Sequence, residues 1–289
     1  MVQDQVRKRN YETCGKDLCD VRSSNPVLRN LPEKVANNGY EGGQTATLPG
    51  RAPEIDQNRP MTVDDVVTKT SITLGVIVAF AAVNFVIFLS GNVGLGSILT
   101  FVGAIGGFIT TLVHAFRREF GSKTVTLIYA AFEGLFLGGF SLVVSGWFTA
   151  GGADAGLMIF QAILGTIGVF IGMLVIYRRG AIRVTPRFNR ILTGLIFGVA
   201  IMALGNLLLA VFTGVSPLRD GGAVSIIFGV VCIVLAALSF LQDFDLADKL
   251  VRTGAPENAA WGVALGLAVT LVWLYTEILR LLSYFSDDR

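Results

Sequence analysis

Four ionisable residues interrupt the long apolar stretches of this sequence. Glu133 lies in IYAAFEGLFLGG, Asp243 lies in LSFLQDFDLAD, and Glu277 and Arg280 lie in VWLYTEILRLLSYF. An ionisable group in a membrane core is costly, and it is by default a hypothesis for a functional site. Carboxyl groups held there can form a pH switch or a cation site, in which a proton and a cation compete for the same oxygens.

Each of these residues also has a structural interpretation. Glu277 and Arg280 are three positions apart, so they share a helix face and can form an ion pair near the outer interface. Glu133 has no partner at helical spacing, but it can be a hydrogen-bonded structural carboxyl. Asp243 is followed by two further aspartates and can belong to a solvated helix end. The sequence leaves these alternatives open.

The composition indicates a membrane protein. Of the 289 residues, 53% are hydrophobic and only 15% are charged, whereas a soluble domain has about 25% charged residues. Seven apolar stretches are each close to the roughly 20 residues that cross a bilayer core. They cover about 70–90, 94–115, 125–148, 156–177, 191–213, 222–242 and 260–284. The sequence therefore predicts an all-α integral membrane protein with seven transmembrane helices.

The basic residues predict the orientation. The connections after the second, fourth and sixth stretches carry ten Lys or Arg residues, and the other three connections carry only Arg219. The ten are Arg117, Arg118, Lys123, Arg178, Arg179, Arg183, Arg187, Arg190, Lys249 and Arg252. We expect a multi-pass protein of the plasma (inner) membrane, and because cytoplasmic loops are enriched in basic residues, we expect the connections after the second, fourth and sixth stretches to lie in the cytoplasm. The N-terminus would lie in the cytoplasm and the C-terminus outside.

Residues 1–60 differ from the rest of the chain. They contain five prolines, mixed charges and no apolar periodicity, a composition typical of disordered segments. We predict a disordered cytoplasmic tail over 1–60, with Cys14 and Cys19 as reduced thiols, and a seven-helix transmembrane domain over 61–286. Thr62 and the acidic residues after it predict a capped helix start there.

Small residues recur four positions apart on several stretches. The pairs are Gly134 with Gly138, Gly168 with Gly172, and Gly262 with Gly266. Such spacing lets helices approach closely in lipid, either within one bundle or at a dimer interface. Asn84, Gln161 and Asn206 can likewise form hydrogen bonds between helices or line a polar interior.

Motifs for catalysis are missing from the sequence. It contains no nucleotide-binding loop, no HExxH, no nucleophile elbow and a single histidine. We therefore expect neither an enzyme nor a bound cofactor or metal site, and no nucleic-acid partner.

Four features in order resemble the Bax inhibitor-1 family, in its bacterial YccA-like branch. The third stretch has Glu-Gly-x-x-Leu-Gly from Glu133, and a basic loop starts with Arg178 and Arg179. The sixth stretch ends in Phe-Leu-x-Asp-Phe from Phe240, and the seventh carries Leu-Tyr-x-acid-Ile-Leu from Leu274. The resemblance covers residues 61–286. It also suggests that residues 1–20 are an upstream extension before a native first residue at Val21.

The resemblance implies a bundle whose last helix is central and surrounded by the other six. It implies a pH-sensitive calcium leak channel in which an acid on the sixth span and one on the seventh share a proton. In this sequence those acids would be Asp243 and Glu277. Other bacterial members of the family bind and restrain a membrane-anchored AAA+ protease, which implies a non-transporting modulator of such a protease or of a stress response, acting here through residues 1–60.

The sequence departs from the family pattern in three respects. The seventh-span acid is Glu277 where Asp is expected, and the second span has no basic residue to pair with the acids. Asp243 and Glu277 also stand at different distances from the turn near Gly254, which predicts a depth difference of roughly 15 Å. A shared proton therefore requires a break or offset in the seventh helix, near Gly262 or Gly266. Without it, Glu133 is the nearer candidate partner for Glu277.

Overall fold

The structure, a computed structural model, describes residues 59–116, 121–146, 152–182 and 184–286. Most of the predicted tail, residues 1–58 with both of its cysteines, lies outside the described residues. The same is true of three of the basic loop residues used for the orientation, Arg117, Arg118 and Arg183.

Seven long helices make up almost all of the described chain, and each is long and apolar enough to span a membrane. They are α1 (Val63–Leu89), α2 (Val93–Phe116), α3 (Lys123–Val144), α4 (Gly152–Arg178), α5 (Pro186–Thr213), α6 (Ala223–Arg252) and α7 (Ala259–Ser286). The predicted all-α architecture with seven transmembrane helices is confirmed.

The sixth helix is longer than its apolar stretch. The sequence predicted an end near residue 242, but α6 continues to Arg252. Two ion pairs between residues four positions apart, Asp245 with Lys249 and Asp248 with Arg252, lie on this extension. Pairs at this spacing stabilise a helix. Asp243 therefore lies inside a helix rather than at its end.

The first helix begins with the predicted cap. The Thr62 hydroxyl accepts a hydrogen bond from the Asp65 amide, and the Asp65 carboxylate accepts one from the Thr62 amide at 2.9 Å. Just before the cap, Pro60 forms an antiparallel bridge with Pro256, and the Met61 amide donates to the Ala255 carbonyl at 2.8 Å. The start of α1 is thereby attached to the connection between α6 and α7.

Three charged residues reinforce this attachment, and we call them the entry clamp: Arg59, Lys69 and Glu257. Lys69, which is only 8% exposed, donates to the Glu257 carbonyl at 2.8 Å and to its carboxylate at 3.0 Å. The Arg59 Nε lies 2.9 Å from the other Glu257 oxygen. A hydrogen bond to Asp65 raises the pKa of Arg59, so its guanidinium stays charged.

The last helix is central, as expected, but four helices surround it instead of the expected six. About 67% of the most apolar window of α7 is buried inside the protein, against 6% for α5. Four helices, α1, α3, α4 and α6, pack directly against α7. The other two lie outside this ring, since α2 packs on α3 and α1, and α5 packs on α6. We call the end of the bundle that holds the entry clamp the basic end, and the opposite end the far end.

Two glycines bring α1 and α3 into close contact. A Cβ atom added at Gly134 would lie 2.4 Å from the Ile77 carbonyl oxygen, and one at Gly138 would lie 2.4 Å from the Ala81 oxygen. Asn84 strengthens the same contact by donating to the Leu135 carbonyl at 2.6 Å. Packing within the bundle is therefore confirmed for this glycine pair, and the hydrogen bond between helices is confirmed for Asn84.

The second glycine pair does not pack within the bundle. A Cβ atom added at Gly168 or Gly172 would have no atom of the other described residues within 4 Å. The prediction of close packing inside the bundle is therefore wrong for these two glycines, because they lie on a face of α4 that no neighbouring helix covers. A role in a dimer interface stays a prediction for them.

This difference provides a matched test. We expect Gly134→Ala to lower the stability by about 1 to 3 kcal/mol, because the added methyl group collides with a rigid backbone carbonyl. Gly168→Ala should leave stability unchanged or slightly higher. Thermal unfolding in detergent measures both variants, and equal melting temperatures would contradict the α1–α3 contact.

Candidate functional site

Asp243 lies at the contact between α6 and α7. One of its carboxylate oxygens accepts a hydrogen bond from the Thr270 hydroxyl at 2.7 Å. Its other oxygen faces Gly266, where an added Cβ atom would lie 3.9 Å away. Among the described residues, no Lys or Arg forms an ion pair with Asp243. The carboxyl group is thus held by one neutral donor.

Glu277 and Arg280 form an ion pair on α7. Arg280 Nη1 donates to both carboxylate oxygens of Glu277, at 3.1 and 3.0 Å. The two side chains are only 8% and 13% exposed, respectively. The guanidinium also lies 5.9 Å from the centre of the Phe140 ring. The ion pair that the sequence allowed for these two residues is therefore present in the structure.

The structure does not bring Asp243 and Glu277 together. Asp243 contacts Thr270, which precedes Glu277 by seven residues on the same helix, a rise of about 10 Å. The α7 helix is continuous from Ala259 to Ser286, so neither Gly262 nor Gly266 breaks it. A shared proton required a break or an offset in this helix, and this conformation contains neither.

Glu133 faces α2 rather than α7. A Cβ atom added at Gly107 would lie 2.6 Å from the Glu133 carboxylate, so the missing side chain at Gly107 provides the room for this carboxyl group. Gly103, one turn earlier on α2, is equally close to the backbone of α3. Two glycines on α2 therefore let Glu133 fit between the helices.

Glu133 also lies too far from Glu277 along the bundle axis to pair with it. Thr126 of α3 donates to the Trp261 carbonyl at 3.0 Å, and Ser141 of α3 bonds with the Tyr275 hydroxyl at 2.7 Å. These contacts place Glu133 level with about residue 268 of α7, roughly 14 Å from the level of Glu277. The expectation that Glu133 could partner Glu277 is wrong, and Glu133 instead shares the depth of Asp243 on another side of α7.

A second cation lies near the Glu277–Arg280 pair. Arg219, in the connection between α5 and α6, interacts electrostatically with both members of the pair. Partial burial and the nearby Arg280 charge lower the pKa of Arg219, whereas Glu277 raises it. The hydroxyl group of Tyr284 is buried at this end without a hydrogen-bond partner among the described residues. The far end therefore brings together two arginines, Arg219 and Arg280, and two carboxylates, Glu277 and Asp220.

Sequence reasoning missed Lys69 and Glu257 of the entry clamp. Lys69 is a single basic residue at the start of the first span, and Glu257 lies in a short connection. They are 188 positions apart, so no helical spacing relates them. The only sequence signal was the unusual position of a lysine within an apolar helix.

The described residues contain no group of three or more His, Cys, Asp or Glu side chains that could hold a metal ion. The intramembrane acids are instead separate from one another. Among the described residues, Asp243 at the α6–α7 contact and Glu133 beside α2 have no ion-pair partner, and Glu277 at the far end is neutralised by Arg280. Of these groups, Asp243 is the one that joins α6 to the central helix α7.

The ion pair at the far end has a testable role in stability. We expect Glu277→Gln to lower the free energy of unfolding by about 3 kcal/mol, because Arg280 loses its counter-charge inside the bundle. The double variant Glu277→Leu/Arg280→Met should recover most of the loss. Unfolding in mixed micelles measures these changes.

Asp248→Asn is the control for this test, because Asp248 and Arg252 form an exposed pair whose side chains are 39% and 76% accessible. Its cost should stay below about 1 kcal/mol. Equal costs for Glu277→Gln and Asp248→Asn would contradict the structural role of the buried pair.

Comparison with known proteins assigns the chain to a family. A family model described as Bax inhibitor 1 like matches residues 25–287, which includes all seven helices. No curated protein matches the chain significantly. The narrower bacterial YccA-like branch stays a prediction. Because the match covers most of its length, the chain belongs to the Bax inhibitor-1-like family of membrane proteins.

Proposed function

We propose that this protein conducts a pH-dependent leak of cations, calcium among them, across the plasma (inner) membrane, with Asp243 as the titrating group. The observation that supports this most directly is the position of Asp243, whose carboxyl group lies between α6 and α7 with only the Thr270 hydroxyl as partner. The basic end would face the cytoplasm, as the basic loops predict.

The chemistry of the contact supports a switch. A charged carboxylate without a counter-ion is costly in a medium of low dielectric, so Asp243 must bind a proton or a cation, or draw in water. Its oxygen next to Gly266 is available for any of these. A change in its charge therefore alters the balance between a closed α6–α7 contact and an open one, since each state is populated according to its free energy.

The other ionisable residues receive different roles in this proposal. Glu133 lies at a similar depth and is a second candidate for the ion pathway, beside the glycines of α2. Glu277 and Arg280 neutralise each other at the far end of α7 and do not titrate with Asp243. The proposed sensor is therefore a single acid, in contrast to the pair of acids that the family resemblance implies.

Calcium flux into liposomes tests the leak across about pH 5 to pH 8. We expect the wild-type leak to change severalfold over this range. Asp243→Asn should remove the pH dependence and hold the leak near its acidic-pH value, because Asn resembles a protonated carboxyl and still accepts a hydrogen bond from Thr270. Glu277→Gln should keep the pH dependence in the fraction of protein that stays folded.

The matched control is Asp245→Asn, which removes an α6 carboxylate that is paired with Lys249. It should leave the pH profile unchanged. A profile altered by Glu277→Gln but not by Asp243→Asn would overturn the assignment of the sensor.

An absence of flux at every pH, from protein shown to be folded, would exclude the leak. The alternative would then be a non-transporting modulator of a membrane-anchored AAA+ protease or of a stress response. Deletion of residues 1–58 would test that alternative, since it removes the proposed tail but keeps the entry clamp.

A further inference from the structure

A long groove separates α1 from α4. It consists of two cavities, of about 520 Å³ at the basic end and about 440 Å³ towards the far end, and Leu74 lines both. Its walls come from α1 and α4, and residues of α3, α6 and α7 form its floor. We call this feature the α1–α4 groove.

The part of the groove towards the far end is apolar. Its walls carry Ile77, Val78, Ile163, Ile167 and Leu271, among others. The few polar side chains there already have partners, since Ser141 bonds with Tyr275 and Thr166 donates to a carbonyl of its own helix. This part suits a hydrocarbon chain and offers no site for a polar ligand.

The part at the basic end has a polar mouth. Thr70, Ser71, Tyr177, Arg178 and Asp248 lie there beside apolar residues. A groove with one apolar end and one polar, charged end is amphipathic along its length, as a phospholipid is.

The dimensions agree with this description. The groove follows α1 from Val63 to Phe85, which corresponds to about 33 Å of helix. The hydrocarbon core of a bilayer is about 30 Å thick, so one leaflet contributes about 15 Å. At the basic end the apolar stretch of α1 begins near residue 70 and that of α4 ends near residue 177, which is the level of Thr70, Ser71 and Arg178. The polar mouth therefore lies at the depth of lipid headgroups and the apolar part lies deeper.

The mouth carries an unbalanced positive charge. Asp248 is neutralised by Arg252, whose Nη2 lies 2.9 Å from its carboxylate. Arg178 forms no ion pair among the described residues. An arginine at headgroup depth binds phosphate well, since its guanidinium can donate two parallel hydrogen bonds.

A hydroxyl group in the wall of the groove is also without a partner. Thr70 is only 8% exposed, and its Oγ1 has no hydrogen-bond partner among the described residues. Buried polar groups are normally paired. Rotation about χ1 exchanges the hydroxyl and methyl groups of a threonine, so Thr70 can turn its donor towards an acceptor in the groove.

We propose that the α1–α4 groove binds one glycerophospholipid from the leaflet at the basic end. Its phosphate faces Arg178, an ester carbonyl accepts a hydrogen bond from Thr70, and one acyl chain passes Leu74 into the apolar part. Phe244 and Leu267 line the same groove, so this lipid contacts the two helices that meet at Asp243. The proposal does not depend on the cation leak.

Photo-crosslinking in nanodiscs tests the lipid site. The probe is phosphatidylglycerol with a diazirine in one acyl chain, and mass spectrometry maps the labelled residues. We expect labelling to concentrate on groove residues such as Val78 and Ile163, well above the exposed face of α5. Diacylglycerol with the same diazirine should label the groove much less, because it lacks the phosphate.

Three variants assign the contacts. Thr70→Val should reduce groove labelling about fivefold through loss of one hydrogen bond, and Arg178→Gln should reduce it about tenfold through loss of a charged one. Ala82→Trp fills the apolar part and should abolish labelling there. The matched controls are Arg179→Gln and Ala200→Trp, which change residues outside the groove and should leave its labelling unchanged.

Two results would overturn the proposal. One is labelling of the groove and of the α5 face to the same extent, which would indicate ordinary boundary lipid. The other is unchanged groove labelling in both Thr70→Val and Arg178→Gln when melting temperatures show that the variants are folded. Calcium flux plays no part in this readout, so the leak and the lipid site can fail separately.

Discussion

The central position of α7 requires its polar side chains to find partners within the protein, because hydrocarbon offers no hydrogen bonds. Thr270 donates to Asp243 of α6, Tyr275 bonds with Ser141 of α3, and Glu277 binds Arg280. The first two contacts fix the depths at which α6 and α3 pack on α7. The depths of Glu133 and Asp243 in the bundle are therefore a consequence of the hydrogen bonds that α7 forms with α3 and α6.

The packing around α7 is uneven, and this has a physical cause. On one side, glycines of α3 bring the backbones of α1 and α3 into contact, and Asn84 adds a hydrogen bond between the helices. On the other side, α1 and α4 leave a groove, and a Cβ atom added at either α4 glycine, 168 or 172, would meet no other described residue within 4 Å. Small residues strengthen a helix pair only where both surfaces are complementary. The same four-residue spacing of glycines therefore gives close packing on α3 and no close packing on α4.

Much of the fold could be predicted because hydropathy and capping act locally. The seven spans, the cap formed by Thr62 and the presence of ionisable groups at Glu133, Asp243, Glu277 and Arg280 all follow from residues close in sequence. Only one partner of these groups could be predicted in the same way, namely Arg280, which lies three positions after Glu277 on the same helix. Lys69 meets Glu257 across most of the chain, and Glu133 faces α2 because of glycines on another helix, so both depend on the tertiary arrangement.

The helix at the centre of the bundle follows the other six helices of the described chain. Chains are synthesised from the N-terminus, so six helices enter the bilayer before the helix against which four of them pack. Until then, Ser141 and Asp243 lack the partners that α7 supplies, and α1, α3, α4 and α6 have no common surface. The common core of this bundle therefore forms only after α7 has been made, and a chain that stops before residue 259 would present its unsatisfied polar groups to the quality-control machinery of the membrane.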